Sequence, residues 1–230
     1  MFLHKGVPTG VIPETPSTNT LHIGSRTELA HRQAEIVKRY GTLVKYPEEC
    51  DSLFQDIVPM KSLSGLQTSS SSEKPLEIHT EQAFSEDRPN FLSLACLRGD
   101  PTAVTYTLTL ETLLEHLSPE EIEYLSKKLW MCRVDLSFVM GGAKNNLRGP
   151  MAILQGDRLV FDQDLMSGLT PKADTMIRRI VDIYEAHKTG TVLEPGDVLV
   201  IDNRKVVHGR SKFEPRYDGT DRFLIRCFAK

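Results

Sequence analysis

Cysteine is scarce: Cys50, Cys96, Cys132 and Cys227 are scattered, and no two form a Cys-x-x-Cys pair. That spacing gives no dense disulfide framework, and buried thiols in a reducing cytosol are expected. Long apolar runs are missing too. Nothing approaches the ~18 residues of a membrane span, and the segment Met1 to Pro8 lacks a signal peptide's apolar centre, so a cytoplasmic protein without a membrane partner is expected. An excess of one charge sign is also absent. The 28 Lys and Arg nearly balance 31 Asp and Glu, for a net charge of −3, which gives no basis for a nucleic-acid partner held by bulk electrostatics. No internal repeat is found, and the strand-rich C-terminal third lacks the alternating helices a parallel sheet requires.

The remaining composition, 26% charged and 40% hydrophobic over 230 residues, is that of a globular protein able to bury a substantial core. One domain over 1–230 is the simplest reading, with a small molecule as partner; the sequence carries no signal for an oligomeric state. Pro8, Pro13 and Pro16 predict irregular structure over 1–24. Ser25 and Glu28 form a capping-box pattern that predicts a helix over 26–40, stopped at Gly41. The serine-rich stretch 62–75 reads as a loop. Strands are predicted over 91–97, 103–107, 133–138, 158–161, 198–201, 206–210 and 222–228. One helix opens at Ser118-Pro119 with Glu121 closing its capping box, and a long one opens at Thr170-Pro171. The aperiodic stretch 140–150 reads as an idle loop or a lid. Together these give a mainly β fold with flanking helices.

Two features carry chemistry. His79 and Glu81 lie two apart in a strand-like run, where alternate residues share a face, and His208 offers a second imidazole. Two histidines and one carboxylate form the facial triad of non-haem Fe(II) oxygenases. Arg222 and Arg226, four apart in the last predicted strand, also share a face. Guanidinium groups facing inward need anions, and their forked geometry suits a carboxylate.

At this point the residues resemble a family. His79-Thr80-Glu81, Val207-His208-Gly209-Arg210 and the run from Phe213 to Phe223, with a separation of fourteen from His208 to Arg222, are similar to the clavaminate synthase group of Fe(II)/2-oxoglutarate oxygenases, which includes asparagine and arginine β-hydroxylases. Pro89-Asn90-Phe91 and Pro195-Gly196-Asp197 extend the likeness over most of 62–230. The resemblance implies a cupin-like jelly roll, or double-stranded β-helix, over 62–230, with a lid and helical insertions. It also makes 1–61 a shortened N-terminal helical and loop part. It implies iron on His79, Glu81 and His208; the 2-oxoglutarate carboxylate on Arg222 with help from Thr107; and the substrate α-carboxylate on Arg226. Ser69 matches a substrate-contacting serine, and Asp162 with Asp164 falls where relatives hold a guanidinium or amine. The implied reaction consumes O2 and 2-oxoglutarate, gives succinate and CO2, and hydroxylates C3 or C4 of a free basic L-amino acid, arginine or lysine. Glu81 stands where halogenating relatives carry a small residue, which favours hydroxylation. Desaturation, oxidation of a modified or peptidyl residue, and a non-catalytic metal-binding jelly roll are the alternatives.

Overall fold

The computed structural model describes residues 1–230 and gives a chain dominated by antiparallel sheet. Its first half holds β1 (Phe2–His4), α1 (Glu28–Val37), β2 (Leu43–Val44), β3 (Gln55–Ile57), β4 (Leu76–His79), β5 (Phe91–Arg98) and β6 (Val104–Thr109). Next come α2 (Leu110–Glu115), α3 (Pro119–Leu125), β7 (Trp130–Arg133), α4 (Leu136–Met140), β8 (Leu147–Met151), β9 (Leu154–Gln155) and β10 (Arg158–Leu159). The remainder is β11 (Met166–Gly168), α5 (Pro171–His187), β12 (Thr189–Val192), β13 (Val198–Asp202), β14 (Val206–Arg210) and β15 (Phe223–Ala229).

A six-stranded sheet runs β1-β13-β5-β15-β2, with β3 also on β15, and a four-stranded sheet runs β12-β6-β14-β4. The central strands of the larger sheet read as almost unbroken apolar runs because both of its faces are covered. Ala95, Leu97, Val198, Val200, Ile225 and Cys227 pack against Leu29, Ala30 and Val37 of α1. Leu92, Leu94, Leu199, Ile201 and Leu224 alternate to the other face, where Tyr46, Phe138 and Val206 meet them. A third apolar cluster lies on the smaller sheet, where Ile78, Leu108 and Val207 pack with Trp130, Ile180 and Tyr184. No helix is long and apolar enough to cross a membrane.

Several local expectations shift. Residues 1–24 are not wholly irregular, because β1 pairs with β13, Phe2 opposite Val200. Thr27, rather than Ser25, caps α1, accepting from the Ala30 N–H at 3.3 Å. Ser25 is held back in a tight turn whose Ile23 and Gly24 N–H groups donate to the buried Asp56 carboxylate at 2.7 and 2.9 Å. Gly41 lies beyond the helix end; a Cβ there would fall 2.3 Å from the Lys230 carbonyl oxygen, so its role is close packing. The predicted strand over 133–138 breaks at Asp135, whose carboxylate accepts from the Ser137 N–H at 2.8 Å and starts α4. The end of the aperiodic stretch 140–150, from Leu147 on, is β8, paired with β7. The capping box of α3 forms as read, with the Glu121 N–H donating to Ser118 at 3.2 Å and the Ser118 N–H to Glu121 at 2.8 Å.

Candidate metal centre and ligand cavity

Between the two sheets lies a cavity of about 320 Å³, lined by Leu92, Leu94, Leu224 and Arg226 from one and by His79, Thr105, His208 and Arg210 from the other. The ladder sets His208 of β14 directly opposite His79 at the end of β4. Glu81 arrives differently from the strand alternation expected, because β4 ends at His79 and Glu81 opens a turn. That turn is fixed on both sides: the Thr80 N–H donates to the Phe161 carbonyl at 2.7 Å, and the Glu81 N–H to the Asn203 amide oxygen at 2.7 Å.

The result is a convergence of three ligand atoms within 4.8 Å of one another. Glu81 Oε1 stands 3.2 Å from His208 Nε2 and 3.8 Å from His79 Nε2. His79 Nδ1 lies 2.8 Å from the Glu77 carbonyl oxygen, an arrangement that keeps a proton on Nδ1 and directs Nε2 at the site. Burial disfavours the charged form of the His79 ring, but contact with Glu81, then the charges of Glu81 and Asp162, outweigh it and push its pKa up to about 9. Burial likewise opposes charge on Glu81, and Arg226 and the two imidazoles overcome it, holding this carboxyl well below its usual range. An anionic oxygen and two imidazole nitrogens converging on one point, with Glu81 and His208 buried and His79 half-buried, fit a divalent transition ion with open positions.

Both predicted arginines reach the cavity, in different states. Arg226 is already engaged: it pairs with Glu49, donates to the Gln55 amide oxygen at 2.7 Å and lies 3.6 Å from Glu81 Oε2. Burial works against its charge, yet Glu49 and Glu81 raise its pKa. Arg222, 5% exposed, makes no ion pair, and burial lowers its pKa to about 10. Its guanidinium carbon sits 6.0 Å from the Phe213 ring centre. A buried cation without a counter-ion is costly unless a ligand completes it.

Asp162, Asp164 and Ser69 line the cavity as well. Asp162 lies opposite His79 in an isolated bridge, and burial pushes its pKa up to about 7. Thr107 is not brought to the cavity wall. It lies on β6 opposite His208, but its hydroxyl faces the Met1 sulfur at 3.6 Å, while Thr105, two positions away on the same face, lines the space.

Sequence reading missed several wall residues. Glu49 sits in an aperiodic segment, and only its burial beside Arg226, with Oε2 lacking any partner, marks it. Gln82 adopts a left-handed backbone (φ 55°), is 6% exposed and has both amide atoms unpartnered at the cavity. Glu77 shares its strand face with His79 and lines the cavity near Asp164, whose charge adds to burial in raising the Glu77 pKa. The pattern His-Gly-Arg did hold the signal for Arg210, since alternation puts it on the His208 side of β14.

Residues 141–228 match the family model described as taurine catabolism dioxygenase TauD, TfdA family. The chain is 43% identical over 236 residues to an L-lysine 3-hydroxylase of Catenulispora acidiphila, an alignment covering 99% of the chain and 66% of that enzyme. It superposes on crystalline asparagine oxygenase, solved with Fe(II), 2S,3S-3-hydroxyasparagine and succinate, with a TM-score of 0.88 at 30% identity, covering 99% of this chain and 73% of the other. The non-haem iron oxygenase OrfP, solved with Fe, succinate and (3S)-hydroxy-L-Arg, gives a TM-score of 0.85 at 26% identity, covering 99% and 75%. The chain thus spans about two thirds to three quarters of these relatives' lengths.

Proposed function

The chain belongs to the clavaminate synthase-like group of Fe(II)/2-oxoglutarate-dependent oxygenases within the TauD/TfdA family, and from this we propose that it hydroxylates C3 or C4 of a free basic L-amino acid, lysine or arginine. We take residues 1–230 as one domain, because β1, β2 and β3 pair into the same sheet as β13 and β15, and we read the two facing sheets as a double-stranded β-helix.

What carries the proposal is one cavity that holds three charge patterns side by side. His79, Glu81 and His208 suit ferrous iron. Arg222, a buried cation without a partner, suits the far carboxylate of 2-oxoglutarate. The Arg226–Glu49 pair is complementary to an amino-acid zwitterion: Arg226 takes the carboxylate, and the free Oε2 of Glu49 accepts from the ammonium. Beyond the metal, Asp162, Asp164 and Glu77 face the substrate's side-chain cation. Bound iron and 2-oxoglutarate supply the oxidising chemistry that breaks the C–H bond and yields succinate and CO2. The chain's own contribution is placement: two ends of the substrate are fixed by opposite charges, which leaves C3 and C4 between them. Leu136, Phe138 and Met140 of α4 line the same space.

Similarity to a lysine 3-hydroxylase and to an oxygenase solved with hydroxy-arginine supports the basic substrate. Oxygen uptake, triggered by adding single amino acids to the protein loaded anaerobically with Fe(II) and 2-oxoglutarate, tests it. Lysine or arginine triggers uptake and neutral analogues do not. Uptake indifferent to every amino acid refutes the substrate assignment.

A further inference from the structure

Arg210 is 5% exposed, lines the cavity, and has no acidic partner. Its guanidinium is spent on backbone. One terminal nitrogen donates to the Ser69 carbonyl at 2.9 Å, the other to the Ser71 carbonyl at 2.8 Å and the Ser71 hydroxyl at 3.1 Å, and Nε donates to its neighbour's carbonyl at 3.1 Å. The fork therefore straddles Ser70. That serine is 2% exposed, lines the cavity, and its hydroxyl has no partner in the chain. Thr68, one position before the clamped segment, shows the same pattern of a buried, unpartnered hydroxyl on the cavity wall. A buried hydroxyl left unpaired costs free energy, so both stand as open sites for a polar ligand.

Arg210 is itself tied to the metal centre through β14, whose ladder to β6 is regular from His208 to Arg210 while its ladder to β4 shifts register between them. It lies two residues after His208 on β14, and alternate strand residues share a face about 6.6 Å apart. The strand is paired on both sides, Arg210 opposite Thr105 on β6 and Leu76 on β4. Stacking on Phe213, 5.0 Å away, fixes the plane of the guanidinium.

We propose that Arg210 is a positioning residue: it ties the serine segment 69–71 to the strand that carries His208, and so sets the distance between the Ser70 hydroxyl, which binds the amino-acid substrate, and the iron. This rests on the function proposed above. Arg210 acts on where the substrate sits, not on whether 2-oxoglutarate binds. Lysine cannot replace it, because an ammonium does not span two carbonyls held by a planar fork.

The test compares the full-length wild type with Ser70→Ala, Arg210→Lys, Arg210→Gln and the Ser70→Ala/Arg210→Lys double variant. Three quantities are read: KM for the amino acid, the dissociation constant of 2-oxoglutarate, and the ratio of succinate released to hydroxylated product. Ser70→Ala raises KM roughly five-fold, the loss of one hydrogen bond. Arg210→Lys raises it at least as much and lifts the succinate ratio above one, because a displaced substrate no longer captures each oxidation. The double variant is little worse than Arg210→Lys. An unchanged ratio in Arg210→Lys, full additivity in the double variant, or a loss confined to 2-oxoglutarate binding overturns the proposal. Where an Arg210 variant does not fold, Ser70→Ala decides alone, since an unaltered KM there removes the hydroxyl from substrate binding. Should no amino acid trigger succinate release in the wild type, the functional assignment fails, and amide hydrogen exchange over 67–72 in Arg210→Lys still settles the clamp: faster exchange supports it, unchanged exchange contradicts it.

Discussion

Replacing Arg222 by methionine should have two opposite effects. The guanidinium is 5% exposed, makes no ion pair and has its pKa held down to about 10 by burial. That depression corresponds to roughly 3 kcal/mol against the charged form at neutral pH. Because the folded-state value is the lowered one, the destabilisation is present at every pH below about 10 and fades only as pH rises through it. Methionine keeps most of the apolar stem and removes the charge. After loss of stacking on Phe213, the cosubstrate-free variant should gain about 1–3 kcal/mol, a rise in Tm of roughly 3–10 °C. Binding moves the other way. Two charge-assisted hydrogen bonds to a carboxylate are worth about 3–5 kcal/mol, so affinity for 2-oxoglutarate should weaken roughly 100- to 5,000-fold. Calorimetric titration with 2-oxoglutarate reads the second effect, and thermal melting with and without it reads both. Wild type at 100 times its dissociation constant gains about 2.7 kcal/mol, and the variant at the same concentration gains at most about 0.4 kcal/mol. A variant that keeps its 2-oxoglutarate affinity, or that melts several degrees lower without ligand, refutes the view of Arg222 as an uncompensated cation awaiting a carboxylate.

Other outcomes follow from the same geometry. Arg226→Met strands Glu49 in the interior and should cost about 3–5 kcal/mol of stability, read by urea unfolding, whereas Glu49→Gln should mainly raise KM for the amino acid. Glu77→Gln should lower kcat/KM for lysine and arginine while leaving iron affinity within about two-fold, since its side chain lines the cavity and only its carbonyl meets His79. A Cβ at Gly141 would fall 1.6 Å from the Glu48 carbonyl oxygen, so Gly141→Ala should push α4 off the segment bearing Glu49 and raise the proportion of 2-oxoglutarate consumed without product. Leu29→Ala, fully buried between α1 and the larger sheet, should cost about 2–5 kcal/mol in chemical unfolding.

Much of this was legible in the chain. Apolar alternation and turn residues place β5, β13, β14 and β15 within a residue or two, and Ser118-Pro119 and Thr170-Pro171 mark their helices because capping is local chemistry. His79, Glu81, His208, Arg222 and Arg226 do meet at one cavity. The failures are those of tertiary context. Asp135 turns a strand-like run into α4, and the buried Asp56 carboxylate holds Ser25 in a turn and leaves the cap to Thr27. Glu49 acquires meaning only when Arg226 lies against it, 177 residues away in sequence. Alternation alone does not separate Thr107 from Thr105, since both lie on one face of β6 and only Thr105 lines the cavity.

The most direct test is stoichiometric. Protein supplied with Fe(II), O2, 2-oxoglutarate and either L-lysine or L-arginine is analysed by mass spectrometry for product and for succinate. One succinate should appear for each amino acid that gains one oxygen atom, and substitution of His208 by alanine should abolish both. Amino acids returned at unchanged mass, or succinate formed equally well without His208, would contradict the assignment at its root.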